Sequence, residues 1–152
     1  RKMMPIRPAI VSAVETCAIR AEAKGIGLSV DCPEDLQARV SAPLIEQAVV
    51  NLLDNAIKYS DRDRRVDVIA SRQGDEVRIA VADQGCGIAS EHLPRLFERF
   101  YRVDKARSRS VGGTGLGLSI VKHIAQVHDG RVTVHSQPGQ GSTFTIHLPA
   151  AE

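Results

Sequence analysis

The 152 residues are one domain's worth of chain, long enough for a real core, and 43% hydrophobic with 25% charged residues is the composition of an ordinary globular domain. A net charge of +2 argues against nucleic acid as a partner, no apolar run approaches the roughly 20 residues of a membrane span, and the N-terminus has no signal-peptide pattern. Cys17, Cys32 and Cys86 are widely spaced, form no CxxC pair and fit reduced thiols in a cytoplasmic protein, while Arg1 in first place points to a chain cut from a longer one.

Residues 1–7, with two basic residues and Pro5, read as the tail of a linker, and the remainder, 8–150, as one domain. From Pro8 to Lys24, Ile10, Val14, Cys17 and Ala21 keep helical spacing, with Gly25 placed to cap. A short strand is predicted at Ile26–Val30, then a polar connection through Pro33 and Pro43. The helix Leu44–Ser60 carries Ile45, Ala48, Val49, Leu52, Leu53, Ala56 and Ile57 at the intervals of a core-facing stripe. Runs rich in Val and Ile at 65–72 and 76–82, separated by Gln73-Gly74-Asp75, predict a hairpin. A short helix at Glu91–Phe97 precedes an aperiodic basic stretch, 98–111, of the kind that forms a mobile functional loop. A helix at Leu118–His128, capped by Gly130, leads into a second hairpin, Arg131–Ser136 and Thr143–Leu148, around the turn QPGQGS. Hairpins outnumber crossovers, so the predicted fold is an α/β (α+β) two-layer sandwich: a mixed sheet of about five strands with three main helices on one face.

Three stretches carry chemistry. At roughly 100° per residue, Asn51, Asn55 and Lys58 share one flank of the 44–60 helix, although Asn disfavours a helix interior. Amide oxygens there suit a magnesium ion that completes its shell with water and phosphate, and Lys58 suits the phosphates; the plainer reading is that both amides bond buried backbone. Asp83, at a strand's end in ADQGCGI, offers an acceptor to an adenine amino group, with Gly85 and Gly87 leaving room for the base against the backbone. Guanine would face it with a second acceptor, which predicts selection for ATP over GTP; an ordinary turn is the alternative. In GGTGLGLSIV, the glycines at 113, 115 and 117 open a helix whose unpaired amides can receive phosphate, without the Gly-Lys-Ser/Thr of a P-loop or the preceding strand of a dinucleotide fold. Such a turn also serves simply to end a flexible loop.

Taken in order, these stretches resemble the ATP-binding catalytic domain of bacterial two-component sensor histidine kinases, a relative of gyrase-type and heat-shock chaperone ATPases with the Bergerat-type fold. NLLDNAIKYS resembles the family's N box, DQGCGI its first glycine box, LFERFYR its phenylalanine box and GGTGLGLSIVKHI its second glycine box, over residues 40–149. The resemblance implies ATP and Mg²⁺ as cofactors, with Asn55 and Asn51 facing the metal and Lys58 and Tyr59 lining the phosphate and base ends. Asp83 would read adenine, with Gly85, Gly87 and Ile88 around the base and Thr143 near it. Phe97, Phe100, Arg99 and Arg102 would hinge and arm a lid at about 98–113, and Gly113, Thr114, Gly115, Leu116, Gly117 and Leu118 would hold the triphosphate.

The implied activity is transfer of the γ-phosphoryl group to a histidine, with Asn51, Asn55, Lys58, Arg99 and Arg102 as the catalytic set. The acceptor is expected on a separate dimerisation domain outside this chain, since none of His92, His123, His128, His135 or His147 has the acceptor's sequence context; each reads as structural or surface. A response regulator would act downstream, and the parent protein would be a homodimer anchored in the cell membrane with this domain in the cytoplasm. Two alternatives stand beside this: a gyrase-type ATPase, which carries a glutamate where this chain has Asn51, and a nucleotide-sensing module or serine-kinase relative. The family's usual Asp before the N box is replaced by Ser41-Ala42, a local departure.

Overall fold

The computed structural model describes residues 1–101 and 117–150. In chain order the described elements are β1 (Lys2–Pro5), α1 (Arg7–Ala23), β2 (Gly27–Asp31), β3 (Gln37–Val40), α2 (Ala42–Tyr59), β4 (Arg65–Gln73), β5 (Glu76–Asp83), a 3₁₀ turn (Ser90–Arg95), α3 (Gly117–Val127), β6 (Arg131–Gln137) and β7 (Gly141–Pro149). Five strands form one mixed sheet in the order β2-β4-β5-β7-β6, with β2 parallel to β4 and every other neighbour antiparallel. Alternation decides which face is covered: Val66, Val68 and Ala70 of β4, Val77, Ile79 and Val81 of β5, and Phe144, Ile146 and Leu148 of β7 are buried beneath the three helices. Among the described residues, no helix is long and apolar enough to cross a membrane.

The periodic helices form as their stripes require. All seven apolar residues named for the 44–60 helix are buried in α2. Helix α1 ends as its sequence foretells: Gly25 takes φ +66°, its N–H donates to the Glu22 carbonyl and that of Ile26 to the Ala21 carbonyl, the paired bonds of a Schellman cap. At the end of α3 the left-handed residue is Asp129, not Gly130. Gly130 serves another need, since a Cβ there would stand 1.9 Å from the carbonyl oxygen of His147. The segment predicted as a helix at 91–97 is a 3₁₀ turn over Ser90–Arg95, in keeping with Pro94, which withholds a backbone donor.

Two findings correct the sequence reading. Residues 1–7 are not the tail of a linker: Lys2–Pro5 pairs antiparallel with Gln37–Val40 as a separate two-stranded sheet, and Ile6 behind it is fully buried, its N–H donating to the Leu36 carbonyl. The polar connection through Pro33 and Pro43 contains that partner strand, β3, whose Ala38 and Val40 point into the core. Four-residue strands are too short for alternation to announce them.

On the uncovered face, Glu76 at the start of β5 joins three strands. It accepts from Arg131 of β6 (2.6 Å), from His147 of β7 (3.1 Å) and from Arg78 of its own strand (3.0 Å). Arg131 first, then His147 and Arg78, hold its carboxyl down at about 2 from an ordinary 4.5. A depressed folded-state pKa means that this contribution to stability is complete above about 4.5 and is lost as pH falls toward about 2. In Glu76→Gln the acid-side fall of Tm across that window is therefore expected to flatten relative to the unaltered chain. Coincident Tm–pH curves for the two proteins would show that the network adds nothing.

Candidate functional site

Helix α2 connects the parts of the site. Its flank presents Asn51, Asn55, Lys58 and Tyr59, all half-buried. The Asn51 carboxamide donates to the Gly117 carbonyl at 3.4 Å, a long bond that brings the start of α3 against α2. The side chains of Asn55 and Lys58 have no hydrogen-bond partner among the described residues, so the plainer reading, amides engaged with buried backbone, applies only weakly to Asn51 and not to Asn55. Asp54, between them, is turned toward α1, where Arg20 pairs with it at 2.6 Å and the Cys17 thiol points at it. Burial first, and the Asp54 charge second, push that thiol up to about 11, so Cys17 is an inert core group. With Asp54 engaged, the free polar groups on the flank are neutral amides and one amine.

The C-terminal end of α2 is held by a residue that no sequence pattern singles out. Lys24, at the end of α1, donates to the carbonyls of Ile57 (2.7 Å), Lys58 (3.3 Å) and Ser60 (2.7 Å), a cation on the negative end of the helix. At the opposite end, the buried His128 donates from Nδ1 to the Ile124 carbonyl and accepts at Nε2 from the N–H of Ser41, the N-cap residue of α2. That backbone contact stands where the departure at Ser41-Ala42 was noted, and it makes His128 structural, as expected.

Asp83 ends β5 on the helix-covered side of the sheet, half-buried. Its Oδ1 accepts from the N–H of Gly85 (2.9 Å) and of Ser142 (3.1 Å), while Oδ2 has no partner among the described residues. Burial raises its pKa above 3.8, and the two backbone donors offset part of that rise. The carboxylate is thereby fixed with one oxygen engaged and one on offer.

A Cβ on Gly85 would meet the Tyr59 carbonyl oxygen at 2.5 Å, and one on Gly87, whose φ is +75°, would meet that of Gln137 at 2.0 Å. Both glycines admit close passage of the protein's own backbone. Thr143 pairs with Ala82, on the sheet face away from Asp83, whereas its neighbour Ser142 bonds the Asp83 carboxylate. Ser136 and Gly141, in and beside the turn QPGQGS, were also not singled out. The Ser136 hydroxyl accepts from Ile88 N–H (2.8 Å) and donates to the Gly141 carbonyl (3.0 Å), and Gly141, at φ +95°, leaves room for the Asp83 carbonyl. The second hairpin thus clamps the Asp83 loop, with Ile88 half-buried at its margin.

Of the phosphate end, Gly117 opens α3 and Leu118 is half-buried behind it. Arg102, Gly113, Thr114, Gly115 and Leu116, and with them most of the expected lid, lie outside the described residues. At the lid's near edge Phe97 stacks edge-on against Phe144 of the core, ring centroids 6.1 Å apart. Phe100 is 63% exposed with φ +66°, a backbone conformation rare for an aromatic residue, and the Arg99 guanidinium lies 5.5 Å over its ring. Phe97 is therefore an anchor and Phe100 an outward-facing group.

The profile of the family described as "Histidine kinase-, DNA gyrase B-, and HSP90-like ATPase" matches residues 40–152. The chain is 47% identical over 141 residues to the sensor-like histidine kinase SenX3 of Mycobacterium tuberculosis, which covers 93% of this chain and 34% of SenX3. It is 40% identical over 154 residues to the phosphate regulon sensor protein PhoR of Pseudomonas aeruginosa, covering 96% and 34%. It thus spans about a third of the length of these relatives. The solved mycobacterial sensor histidine kinase MprB superposes with a TM-score of 0.84 at 31% identity over 97% of both chains. The catalytic domain of histidine kinase ThkA gives 0.85 at 23% identity, a likeness of fold alone.

Proposed function

Because this chain belongs to the family of histidine kinase-, DNA gyrase B- and HSP90-like ATPases, we propose that it binds ATP with Mg²⁺ and transfers the γ-phosphoryl group to a histidine on a separate domain of its own protein. The observation that carries this reading is the half-engaged Asp83 carboxylate, Oδ1 fixed by Gly85 and Ser142, at the end of a helix whose flank offers Asn51, Asn55 and Lys58.

The donor set fits the metal. Among the described residues no three His, Cys, Asp or Glu side chains group as a resident metal site, and neutral amide oxygens suit a magnesium ion that arrives with phosphate and water. Bound MgATP supplies the phosphoryl group and a cation to neutralise its oxygens. The chain's own residues orient and neutralise: Asp83 Oδ2 accepts from the adenine amino group, Asn51 and Asn55 turn amide oxygens toward the metal, and Lys58 places a point charge at the phosphates. Positioning and charge neutralisation are most of what a loose phosphoryl-transfer transition state requires. Gly113, Thr114, Gly115, Leu116 and Gly117 are assigned to the triphosphate and Arg99 and Arg102 to the lid on the family resemblance. Hydrolysis is disfavoured because position 51 is an amide and Asp54, three residues on, is engaged by Arg20.

We assign the acceptor histidine and dimer contacts to the portion of the protein outside this chain, with a response regulator downstream and the parent anchored in the membrane. Mixing the chain with the dimerisation domain from the same gene, radiolabelled ATP and magnesium is expected to put acid-labile, alkali-stable label on that domain, with little free phosphate released. Normal ADP binding without any label on the histidine would sink the kinase reading and favour a nucleotide-sensing module.

A further inference from the structure

On the uncovered face of the sheet, opposite the helices and Asp83, three side chains stand in an ordered series. Glu76 Oε1 meets His147 Nδ1 at 3.1 Å, and His147 Nε2 meets the Thr133 hydroxyl at 2.8 Å. A carboxylate, an imidazole and a hydroxyl in that order form the constellation by which a hydroxyl is made nucleophilic: a base within hydrogen-bond reach, itself oriented by a third group.

The direction of each bond follows from Glu76. Arg131 first, then His147 and Arg78, hold its carboxyl at about 2, so it is an ionised group that only accepts. In the neutral ring of His147 the proton therefore sits on Nδ1, Nε2 is bare, and the Thr133 hydroxyl donates to it. Its oxygen lone pairs are left for an electrophile.

Burial separates the roles. His147 is 8% exposed and held at both ring nitrogens, which fixes the base, whereas Thr133 is exposed on the edge strand β6. Across the ladder from Thr133 come Thr145 and then Ala80, small residues that leave the approach open. Arg131, two residues earlier on the same face, gives Nη1 to Glu76 at 2.6 Å and keeps further N–H groups for a developing oxyanion. A bond that merely tied β6 to β7 would need neither the third member nor an exposed hydroxyl.

We propose that Thr133 is an acyl-accepting nucleophile for small activated esters, with His147 as its general base and Glu76 as the residue that positions that base. Thr133 Oγ1 bonds to the ester carbonyl carbon as its proton passes to His147 Nε2. The bond from that carbon to the leaving oxygen then breaks, and the leaving oxygen takes the proton from Nε2. The products are O-acyl-threonine and a free alcohol. Nucleotide binding plays no part in this, so the proposal stands apart from the kinase reading.

Treating the chain with p-nitrophenyl acetate and mapping acetyl groups by mass spectrometry tests it, beside Thr133→Val, Thr133→Ser and His147→Gln, each shown by thermal melting to be folded. Acetyl is expected on Thr133 of the unaltered chain and on the replacement hydroxyl of Thr133→Ser. Thr133→Val should carry none at this position, and in His147→Gln acetylation of Thr133 should slow about 100-fold or more, the scale of general-base assistance. If His147→Gln does not fold, Glu76→Gln takes its place with a loss in the same direction expected. Acetyl confined to lysines or the N-terminal amine would overturn the proposal. So would p-nitrophenol release by Thr133→Val as fast as by the unaltered chain, or equal acetylation of Thr133 without its base; the three side chains would then be a cross-strand tie only.

Discussion

Asp83→Asn is expected to weaken ADP binding about 100-fold, or about 3 kcal/mol, with no loss of thermal stability. The side-chain oxygen that accepts from Gly85 and Ser142 fixes the orientation of the replacement. Asparagine keeps those bonds only by placing its carbonyl oxygen at the Oδ1 position, because a flipped amide would turn its NH₂ on two backbone donors. The NH₂ then stands where Oδ2 stood, facing the adenine amino group donor to donor, with a lost charged hydrogen bond and an unmatched pair in its place. Guanine offers an acceptor at that ring position, so the variant's preference for ATP over GTP should collapse or reverse.

Stability moves the other way for a reason visible in the fold. Burial raises the folded pKa of Asp83 above 3.8. A raised carboxyl pKa means that the folded state carries a desolvated charge at neutral pH, so its contribution is unfavourable above the folded pKa and vanishes below 3.8. Removing that charge should leave Tm equal or a few degrees higher at neutral pH, where about 1 kcal/mol corresponds to roughly 2–4 °C in a domain of this size. Unchanged ADP affinity in a folded Asp83→Asn protein would take base recognition away from this residue.

What was legible in the sequence is what period alone encodes. The seven-residue stripe of α2 and the alternation of Phe144, Ile146 and Leu148 each name their buried face, and the structure buries both sets. Strands β1 and β3 escaped because four-residue strands carry no periodic signal and all of α1 and β2 lies between them; their pairing exists only through tertiary contact. At the site, the choice between Ser142 and Thr143 turns on strand phase, where a one-residue difference changes the face of the sheet. Gly85 and Gly87 were singled out as room for a base, whereas the close approach the structure displays is that of the protein's own backbone, which no sequence pattern announces. Lys24 was invisible because it caps a helix that lies far along the chain.

On the proposed reading, Asn55 is a residue that function holds against local preference. Asn is a poor residue for a helix interior, and Asn55 sits four residues from the end of α2 with no partner of its own among the described residues to compensate. Asn55→Ala should therefore raise the stability of the free chain slightly, by about 0.5 kcal/mol of helix propensity. Phosphoryl transfer to the dimerisation domain should fall about 1,000-fold, since a metal's charge stabilisation at the reacting oxygens is worth several kcal/mol and depends on its being held. ADP affinity without added magnesium should change less than about 3-fold, because Asp83 and the base pocket are untouched. Asn55→Asp separates charge from coordination. Its carboxylate keeps an oxygen for the metal and stays near the same volume, yet it adds a negative charge beside a triphosphate, so transfer should fall further than ADP binding. If Asn55→Ala loses stability and keeps transfer, the residue is part of the helix's packing and the metal must be held elsewhere.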